Sequence, residues 1–313
     1  MAHNSSSQHF LPGEELLPDE LRVTLLGTGT PYPRRGQASA GLLVEARDEK
    51  LLLDCGPGSP ANLAALEVPL ELIDKVFISH HHMDHIGGID QLWIGGWTYG
   101  RKVPLRLWGP EGTERISAHM RGMYEWDIAT RTRVLPKGGE GLVATEYSSG
   151  LVYEDSGLRV TAFEVIHAEP HNSYGFRIDY QDRSFVYSGD TKRCQTLIDH
   201  AQDVDLIVHE SFPPADIYAE KAGRPIELAK VIAEEIHTSP REVGTIFRDT
   251  QPRLGVIYHM YNNEDLIVPA TDQVRESYDG DFAVGYDLMV INIHDTIRVR
   301  RAIVGDKTWP VLL

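Results

Sequence analysis

The sequence predicts an α/β fold in which strands and helices follow one another in groups. Short apolar runs such as residues 74–79 and 254–259 are typical of buried strands. Residues 225–237 carry apolar side chains along one helical face, which is typical of an amphipathic helix. Each half of the chain runs from strands through helices to further strands. That order favours an α/β sandwich over a simple alternating βαβ sheet.

The individual elements follow from apolar runs and from the turn residues that bound them. Predicted strands cover residues 22–26, 40–46, 50–54, 74–79, 105–108, 158–167, 174–180, 184–188, 204–209 and 254–259, with a closing hairpin of 282–284 and 288–300. Predicted helices cover residues 59–66, 112–123, 225–237, 240–249 and about 264–278. Residues 127–150 show no clear period and are expected to form a loop-rich insertion. We expect a flexible tail over residues 1–20 and a single catalytic domain over 21–313.

Composition narrows the class of protein. The 313 residues include 46 acidic and 30 basic side chains, giving a formal net charge of −16. Such a surface repels phosphate backbones at long range, so we do not expect the protein to bind nucleic acid. Two cysteines, Cys55 and Cys194, are too few for a disulfide framework, and no apolar run reaches the length of a membrane span. We expect a cytoplasmic protein with free thiols.

Four of the 14 histidines fall within six residues, in the run Ser79–Gly88. In extended backbone, residues i and i+2 point the same way, so His80 and His82 can hold one ion together. Asp84 and His85, a turn later, can face a second ion, whereas His81 points away. Imidazoles and a carboxylate in this spacing suit zinc, or manganese and iron less selectively.

The H-x-H-x-D-H run resembles the signature of the metallo-β-lactamase superfamily, which implies a four-layer αβ/βα sandwich. Further strand-end residues fit the family's pattern: His167 as the third-motif histidine, with His171 as its competitor, then Asp190 and His259. The resemblance implies two zinc ions per chain, with Asp190 bridging them. The ligands it implies are His80, His82 and His167 for one ion, and Asp84, His85 and His259 for the other.

Other motifs resemble the ribonuclease Z and arylsulfatase-like branch of that superfamily. They are LGTGTP at Leu26–Pro31, LDCG at Leu53–Gly56, HE at His209–Glu210 and a histidine at His237 followed by Thr-Ser. The resemblance implies that Asp54 orients a ligating imidazole, that Glu210 orients His237, and that His237 donates a proton to the leaving group. The segment between His85 and His167 has no obvious counterpart of the basic arm with which ribonuclease Z enzymes clasp tRNA.

These features predict a dinuclear zinc hydrolase in which a metal-bridging hydroxide, oriented by Asp84, attacks an ester-type bond of a small molecule. A phosphodiester or a sulfate ester is favoured. The alternatives are a lactone or thioester hydrolase, a hydrolytic dehalogenase, a tRNA-processing endonuclease, and a non-catalytic metal-binding module. Trp93, Trp97 and Tyr99 are candidate pocket aromatics, although a helix that packs Trp93 into the core fits equally well. A homodimer is expected from the relatives.

Overall fold

A computed structural model describes residues 9–167 and 172–304. His171, the competing ligand, lies outside the described residues. The chain divides into two compact units, and each is described by itself. Their segments are Met1–Gly27, Pro33–Tyr147 and Asp287–Leu313 for the first, and Thr28–Tyr32 and Ser148–Tyr286 for the second.

The first unit contains a nine-stranded mixed sheet with the order β1-β16-β15-β2-β3-β4-β5-β6-β7. Its strands are β1 (His9–Phe10), β2 (Leu21–Gly27), β3 (Gly41–Ala46), β4 (Glu49–Leu53), β5 (Lys75–Phe77), β6 (Leu105–Gly109), β7 (Leu142–Glu146), β15 (Met289–Ile293) and β16 (Ile297–Ala302). Strands β4 to β7 run parallel to one another. The carboxyl ends of β4 and β5 therefore meet at one edge of the sheet, and that edge carries Asp54 and the histidine run.

Helices pack a hydrophobic core onto this first sheet. They are α1 (Ser59–Ala65), α2 (Met83–Ile86), α3 (Ile89–Thr98), α4 (Thr113–Met123) and α5 (Glu125–Arg131), and a 3₁₀ turn spans Leu70–Leu72. Two glycines allow the histidine run to lie close to the end of β4. A Cβ on Gly56 would lie 2.0 Å from the Asp84 carbonyl oxygen, and a Cβ on Gly88 would lie 2.5 Å from the Gly56 carbonyl oxygen. No larger residue fits at either position without displacing backbone.

The second unit contains a seven-stranded sheet with the order β14-β13-β12-β11-β10-β9-β8. Its strands are β8 (Gly150–Asp155), β9 (Leu158–Val165), β10 (Ser173–Tyr180), β11 (Arg183–Tyr187), β12 (Leu206–Glu210), β13 (Leu254–Tyr258) and β14 (Phe282–Val284). Strands β11, β12 and β13 are parallel neighbours. Strand β9 points the same way, because it is antiparallel to β10, which is antiparallel to β11. Strand β14 is parallel to β13 as well, so five strands end at the same edge of this sheet.

The helices of the second unit are α6 (Gln195–His200), α7 (Ala215–Ala222), α8 (Ile226–Lys230), α9 (Pro240–Thr250) and α10 (Glu264–Arg275). Helix α8 continues into a π-helix over Val231–Ile236, directly before His237. Helix α9 begins with a capping box, in which Ser239 and Glu242 each bond the other's backbone N–H. Among the described residues, no helix is both long and apolar enough to cross a membrane.

Two segments that were expected to be irregular contain regular structure among the described residues. Within the tail predicted over residues 1–20, of which residues 1–8 lie outside the described residues, His9–Phe10 pair with the first sheet and Glu14 forms an ion pair with Arg300 at 2.8 Å. The loop-rich insertion expected over residues 127–150 contains most of α5, all of β7 and the start of β8. In both segments polar residues dominate, so hydrophobic periodicity carries little information about them.

Of the two alternatives for Trp93, the structure shows the helix that packs this side chain into the core. Trp97 lies in the same core, and both side chains are fully buried among the apolar residues of the first unit. The Trp97 indole N–H donates to the Pro136 carbonyl oxygen at 2.7 Å. Gly139 leaves room for this indole, since a Cβ there would lie 2.4 Å from the Trp97 ring. Tyr99, at the end of α3, is 39% exposed and stays a prediction.

Replacing Trp97 should therefore affect stability and not substrate affinity. Trp97→Ala removes a fully buried indole, and we expect it to lower the free energy of unfolding by about 3–5 kcal/mol. Trp126→Ala is the matched control, because Trp126 on α5 is 77% exposed; we expect it to change stability by less than about 0.5 kcal/mol. Urea denaturation measures both. Equal effects of the two substitutions would contradict the core assignment.

Candidate metal centre

In the first unit, the fully buried Asp54 organises the histidine run. Its carboxylate accepts hydrogen bonds from the Ser79 backbone N–H, the Ser79 hydroxyl and His85 Nδ1, each at 2.7 Å. A carboxylate cannot donate, so the His85 proton lies on Nδ1 and its lone pair on Nε2. Asp54 also has a φ of 57°, which is unusual for a residue other than glycine. Such strain at a buried carboxylate is typical of functional sites.

Through the Ser79 hydroxyl, Asp54 also determines which nitrogen of His80 carries the proton. The single hydroxyl proton of Ser79 is given to Asp54, so its oxygen accepts from His80 Nδ1 at 3.0 Å. The His80 lone pair therefore lies on Nε2. That atom is 3.0 Å from Nδ1 of His82. Farther along the run, His85 Nε2 lies 3.7 Å from Oδ2 of Asp84.

In the second unit, strand ends bring a second cluster together around Asp190. The Asp190 Oδ2 atom lies 3.3 Å from His259 Nε2 and 3.9 Å from His167 Nε2. His167 Nδ1 donates to the Ile236 carbonyl oxygen at 3.1 Å, which puts its lone pair on Nε2. His259 is held with a φ of 64°, and its backbone N–H donates to the Thr28 carbonyl oxygen at 3.0 Å.

The donor atoms of both clusters fit a transition metal. Tetrahedral zinc with Zn–N bonds of about 2.0–2.1 Å places neighbouring ligand atoms roughly 3.3–3.4 Å apart. The donor separations within each cluster, 3.0 and 3.7 Å in the first unit and 3.3 and 3.9 Å in the second, lie around that value. Metal-bound histidines typically donate their other N–H to a carboxylate or carbonyl, as His85 and His167 do here. The described residues thus contain candidate metal-ligand clusters.

His237 and Glu210 form a buried pair beside Asp190. His237 Nδ1 lies 2.8 Å from Glu210 Oε1, an atom that also accepts the Thr191 backbone N–H at 2.9 Å. The His237 ring stacks on Phe212 at 4.8 Å. Burial raises the pKa of Glu210, and the charge of His237 opposes that shift. The sequence predicted this pairing from motifs alone.

A competing arrangement exists within the second unit. Glu210, His237 and His259 offer ligand atoms that all lie within 4.8 Å of one another. Among the described residues, no hydrogen-bond partner reaches the buried Oε2 atom of Glu210. A metal ion bound by these three residues would make His237 a ligand and not a proton donor. Sequence reasoning missed this arrangement, because it assigned each residue one role from family motifs.

The neighbouring His209 should make the protein sensitive to acid. It is fully buried, and burial lowers its pKa to about 4 from 6.5, while its Nδ1 donates to the Glu210 carbonyl oxygen. As pH falls, His209 of the unfolded chain binds a proton before His209 of the folded protein does. The free energy of unfolding therefore decreases from about pH 6.5 towards pH 4. His209→Asn keeps a donor and removes the titration. We expect the wild type to lose about 3 kcal/mol more than this variant over that range.

Urea denaturation at a series of pH values measures that difference. Other acidic groups titrate in both proteins, so the comparison of wild type with variant isolates His209. Parallel stability curves for the two proteins would contradict the burial of a neutral imidazole at this position.

The comparisons with known proteins agree on family and fold. Residues 21–217 match the family described as Anti-Pycsar protein Apyc1. Ribonuclease Z of Mycobacterium sp. (strain KMS) is 27% identical over 292 residues, which cover 90% of this chain and 99% of that protein. Ribonuclease Z of Mycobacterium avium (strain 104) is 31% identical over 194 residues, covering 60% of this chain and 69% of that protein.

Solved structures match over most of the chain. The metallo-β-lactamase fold protein YhfI from Bacillus subtilis superposes with a TM-score of 0.67 and 21% identity, covering 88% of this chain and 100% of that one. The short form of human tRNase Z superposes with a TM-score of 0.62 and 22% sequence identity, covering 86% of this chain and 98% of that one. Zn(2+)-bound PqqB from Methylobacterium extorquens superposes with a TM-score of 0.62 and 16% sequence identity, covering 87% of this chain and 99% of that one. The predicted fold class is confirmed. The chain belongs to the Anti-Pycsar protein Apyc1 family and to the ribonuclease Z branch of the metallo-β-lactamase superfamily.

Proposed function

We propose that the protein is a metal-dependent phosphodiesterase that acts on small molecules through two bound metal ions. Zinc is the favoured metal, because imidazole nitrogens outnumber carboxylate oxygens among the proposed ligands, and imidazole is a preferred zinc ligand. The observation that carries the proposal is the Asp190 cluster. Three histidines lie 3.3–4.0 Å from the Oδ2 atom of Asp190, and the buried Glu210 lies 2.8 Å from one of them, His237.

The proposed ligands are those that the resemblance to the superfamily implies. His80, His82 and His167 would hold one ion and Asp84, His85 and His259 the other, with Asp190 as a ligand shared by both. When bound, the ions would lower the pKa of a water molecule and offset the negative charge of a phosphoryl group. Asp84 would also accept a hydrogen bond from the attacking water and orient it.

His237 is the proposed proton donor to the leaving oxygen. Its Nδ1 is fixed by Glu210 at 2.8 Å, so its Nε2 atom is the one that can serve a substrate. The Glu210 carboxylate stabilises the protonated imidazole, and Phe212 fixes the plane of the ring by stacking on it at 4.8 Å. A positioned general acid of this kind typically contributes about 10²–10⁴-fold in rate.

The relatives favour phosphorus over carbon or sulfur as the attacked centre. Ribonuclease Z enzymes cut phosphodiester bonds, as their name states, and they match 90% of this chain. A further solved neighbour is described as a diphosphatase and has a TM-score of 0.60. These matches support a phosphodiester ahead of a sulfate ester, a lactone or thioester, and an aryl halide. They also support an enzyme over a non-catalytic metal module.

A tRNA-processing activity is the second candidate, because the curated relatives are ribonuclease Z enzymes. Charge argues against it, since the formal net charge is −16. Two of the basic residues that lie between His85 and His167 in the sequence also have partners within the protein. Arg101 is 2% exposed and donates to backbone carbonyl oxygens, and Arg131 forms an ion pair with Asp127 at 2.9 Å. A small substrate therefore fits better than a long polyanion.

The test measures hydrolysis by metal-loaded, chelator-treated and reloaded protein. Substrates are bis(p-nitrophenyl) phosphate, p-nitrophenyl phosphate, sulfate and acetate, a cyclic nucleoside monophosphate and a precursor tRNA. We expect the diesters to be hydrolysed fastest, with activity lost on chelation and restored by zinc or manganese. His237→Ala should lower kcat by about 10²-fold for the nucleotide, whose alkoxide needs a proton. It should affect p-nitrophenolate release much less, because that leaving group is a weak base.

His119→Ala, at an exposed histidine on α4, is the control and should leave every rate unchanged. Full activity after metal removal would contradict the proposed function. Cleavage of precursor tRNA with a much higher kcat/KM than any small diester would replace it with the second candidate. The predicted homodimer is tested by the mass of the same preparation in solution.

A further inference from the structure

His81 is the histidine of the run that the proposed ligand set does not use. None of the candidate metal clusters among the described residues includes it. Its Nε2 atom instead lies 2.8 Å from the hydroxyl oxygen of Thr113, the first residue of α4. Thr113 is fully buried, whereas His81 is half-buried. The side chain of His81 therefore connects the histidine run to the loop between β6 and α4.

Hydrogen-bond geometry at Thr113 determines which nitrogen of His81 carries the proton. The Thr113 hydroxyl oxygen also lies 2.6 Å from the Pro110 carbonyl oxygen, which can only accept. A hydroxyl has one proton, so Thr113 donates to Pro110 and accepts from His81 Nε2. His81 thus carries its proton on Nε2, whereas His80 and His85 carry theirs on Nδ1. A nitrogen that donates to a buried hydroxyl is not available to a metal ion.

Two glycines of the loop make this contact possible. Gly109 ends β6, and a Cβ at this position would lie 2.2 Å from the Thr113 hydroxyl oxygen. Gly112 has a φ of 103°, a backbone conformation that glycine adopts at little cost. A Cβ on Gly112 would lie 3.5 Å from Cε1 of His81, so the imidazole packs directly against this turn. The loop therefore leaves room for His81 and Thr113 to meet.

The loop is itself fixed to the end of β7. Glu146 Oε1 accepts the Gly112 backbone N–H at 2.8 Å, at the amino end of α4. The next residue along the chain, Tyr147, donates its hydroxyl to the carbonyl oxygen of Ile78 at 2.7 Å, directly before the histidine run. The run is thus held from the side of β6 and β7, in addition to its contacts with Asp54.

His82 is the exposed member of the proposed ligand set, and every other proposed ligand is buried. Its backbone begins α2, where its carbonyl oxygen accepts the His85 backbone N–H at 3.0 Å. His81 precedes it directly in the chain. The hydrogen bond between His81 and Thr113 therefore fixes the backbone from which the His82 side chain extends.

We propose that His81 is a positioning residue: through Thr113 it fixes the orientation of His82, and with it the affinity of the metal ion at His82. The proposal rests on the ligand set of the proposed function. The second ion would be held beside His85, which Asp54 orients independently of this contact. Loss of the hydrogen bond between His81 and Thr113 should therefore weaken the ion at His82 and spare the second ion.

Competition with a chromophoric zinc chelator measures the two zinc Kd values of the full chain. In His81→Phe and in Thr113→Val, we expect one Kd to rise about 10- to 100-fold and the other to change less than about threefold, because outer contacts of a metal ligand typically have effects of this size. Two conservative variants should preserve both Kd values. His81→Gln places an amide donor near the position of Nε2, and Thr113→Ser keeps the hydroxyl.

A double-variant cycle identifies the affected ion. In a His82→Ala background, His81→Phe should have no further effect on zinc affinity, because the ligand that His81 positions is gone. His119→Ala, at an exposed histidine of α4, is the matched control and should leave both Kd values unchanged. Urea denaturation of the metal-free variants checks that each one folds.

Equal increases in both Kd values, or an undiminished effect of His81→Phe in the His82→Ala background, would indicate a general structural role and overturn the proposal. Unchanged Kd values in His81→Phe and Thr113→Val would overturn it as well. A wild type that binds fewer than two zinc ions would refute both this proposal and the proposed function. If the variants behave as expected but the wild type hydrolyses no phosphodiester, the proposed function fails and the positioning role stands.

Discussion

An imidazole can bind a metal only through the nitrogen that does not carry its proton, and buried acceptors fix that choice at His80, His85 and His167. Asp54 fixes His85 directly and His80 through the Ser79 hydroxyl. In the second unit the Ile236 carbonyl oxygen does the same for His167. The metal chemistry proposed here depends on these contacts, because a histidine in the other tautomer would present an N–H to the ion.

Parallel strands explain how such contacts arise. Asp54 follows β4 and the histidine run follows β5, and the two strands are parallel neighbours. Asp190, Glu210 and His259 come at or just after the ends of three adjacent parallel strands. The carboxyl edge of a parallel sheet is where α/β proteins generally bind ligands, because consecutive loops converge there. Left-handed backbone at Asp54 and His259 shows that this convergence is achieved with some local strain.

Sequence patterns were informative where chemistry repeats at fixed spacing. The spacing of His80, His82, Asp84 and His85 predicted a metal-binding run, and the resemblance to the ribonuclease Z branch implied that Glu210 orients His237. Hydrophobic periodicity did not predict which side chains are buried where tertiary packing determines their environment. A glycine-rich stretch fits a pocket and a core equally well for Trp93 and Trp97, and only the tertiary structure shows that α3 buries both indoles. The contact of His81 with Thr113 gave no signal, since the two residues are 32 positions apart in the chain.

The proposed function depends most on the proposal that the ligands named above hold two metal ions. Diffraction from crystals of zinc-loaded protein, recorded at the zinc absorption edge, locates bound ions directly. The account predicts two anomalous peaks about 3.5–4 Å apart, one bound by His80 and the other by His85, with Asp190 touching both. A single peak, or a peak held by Glu210, His237 and His259, would contradict it.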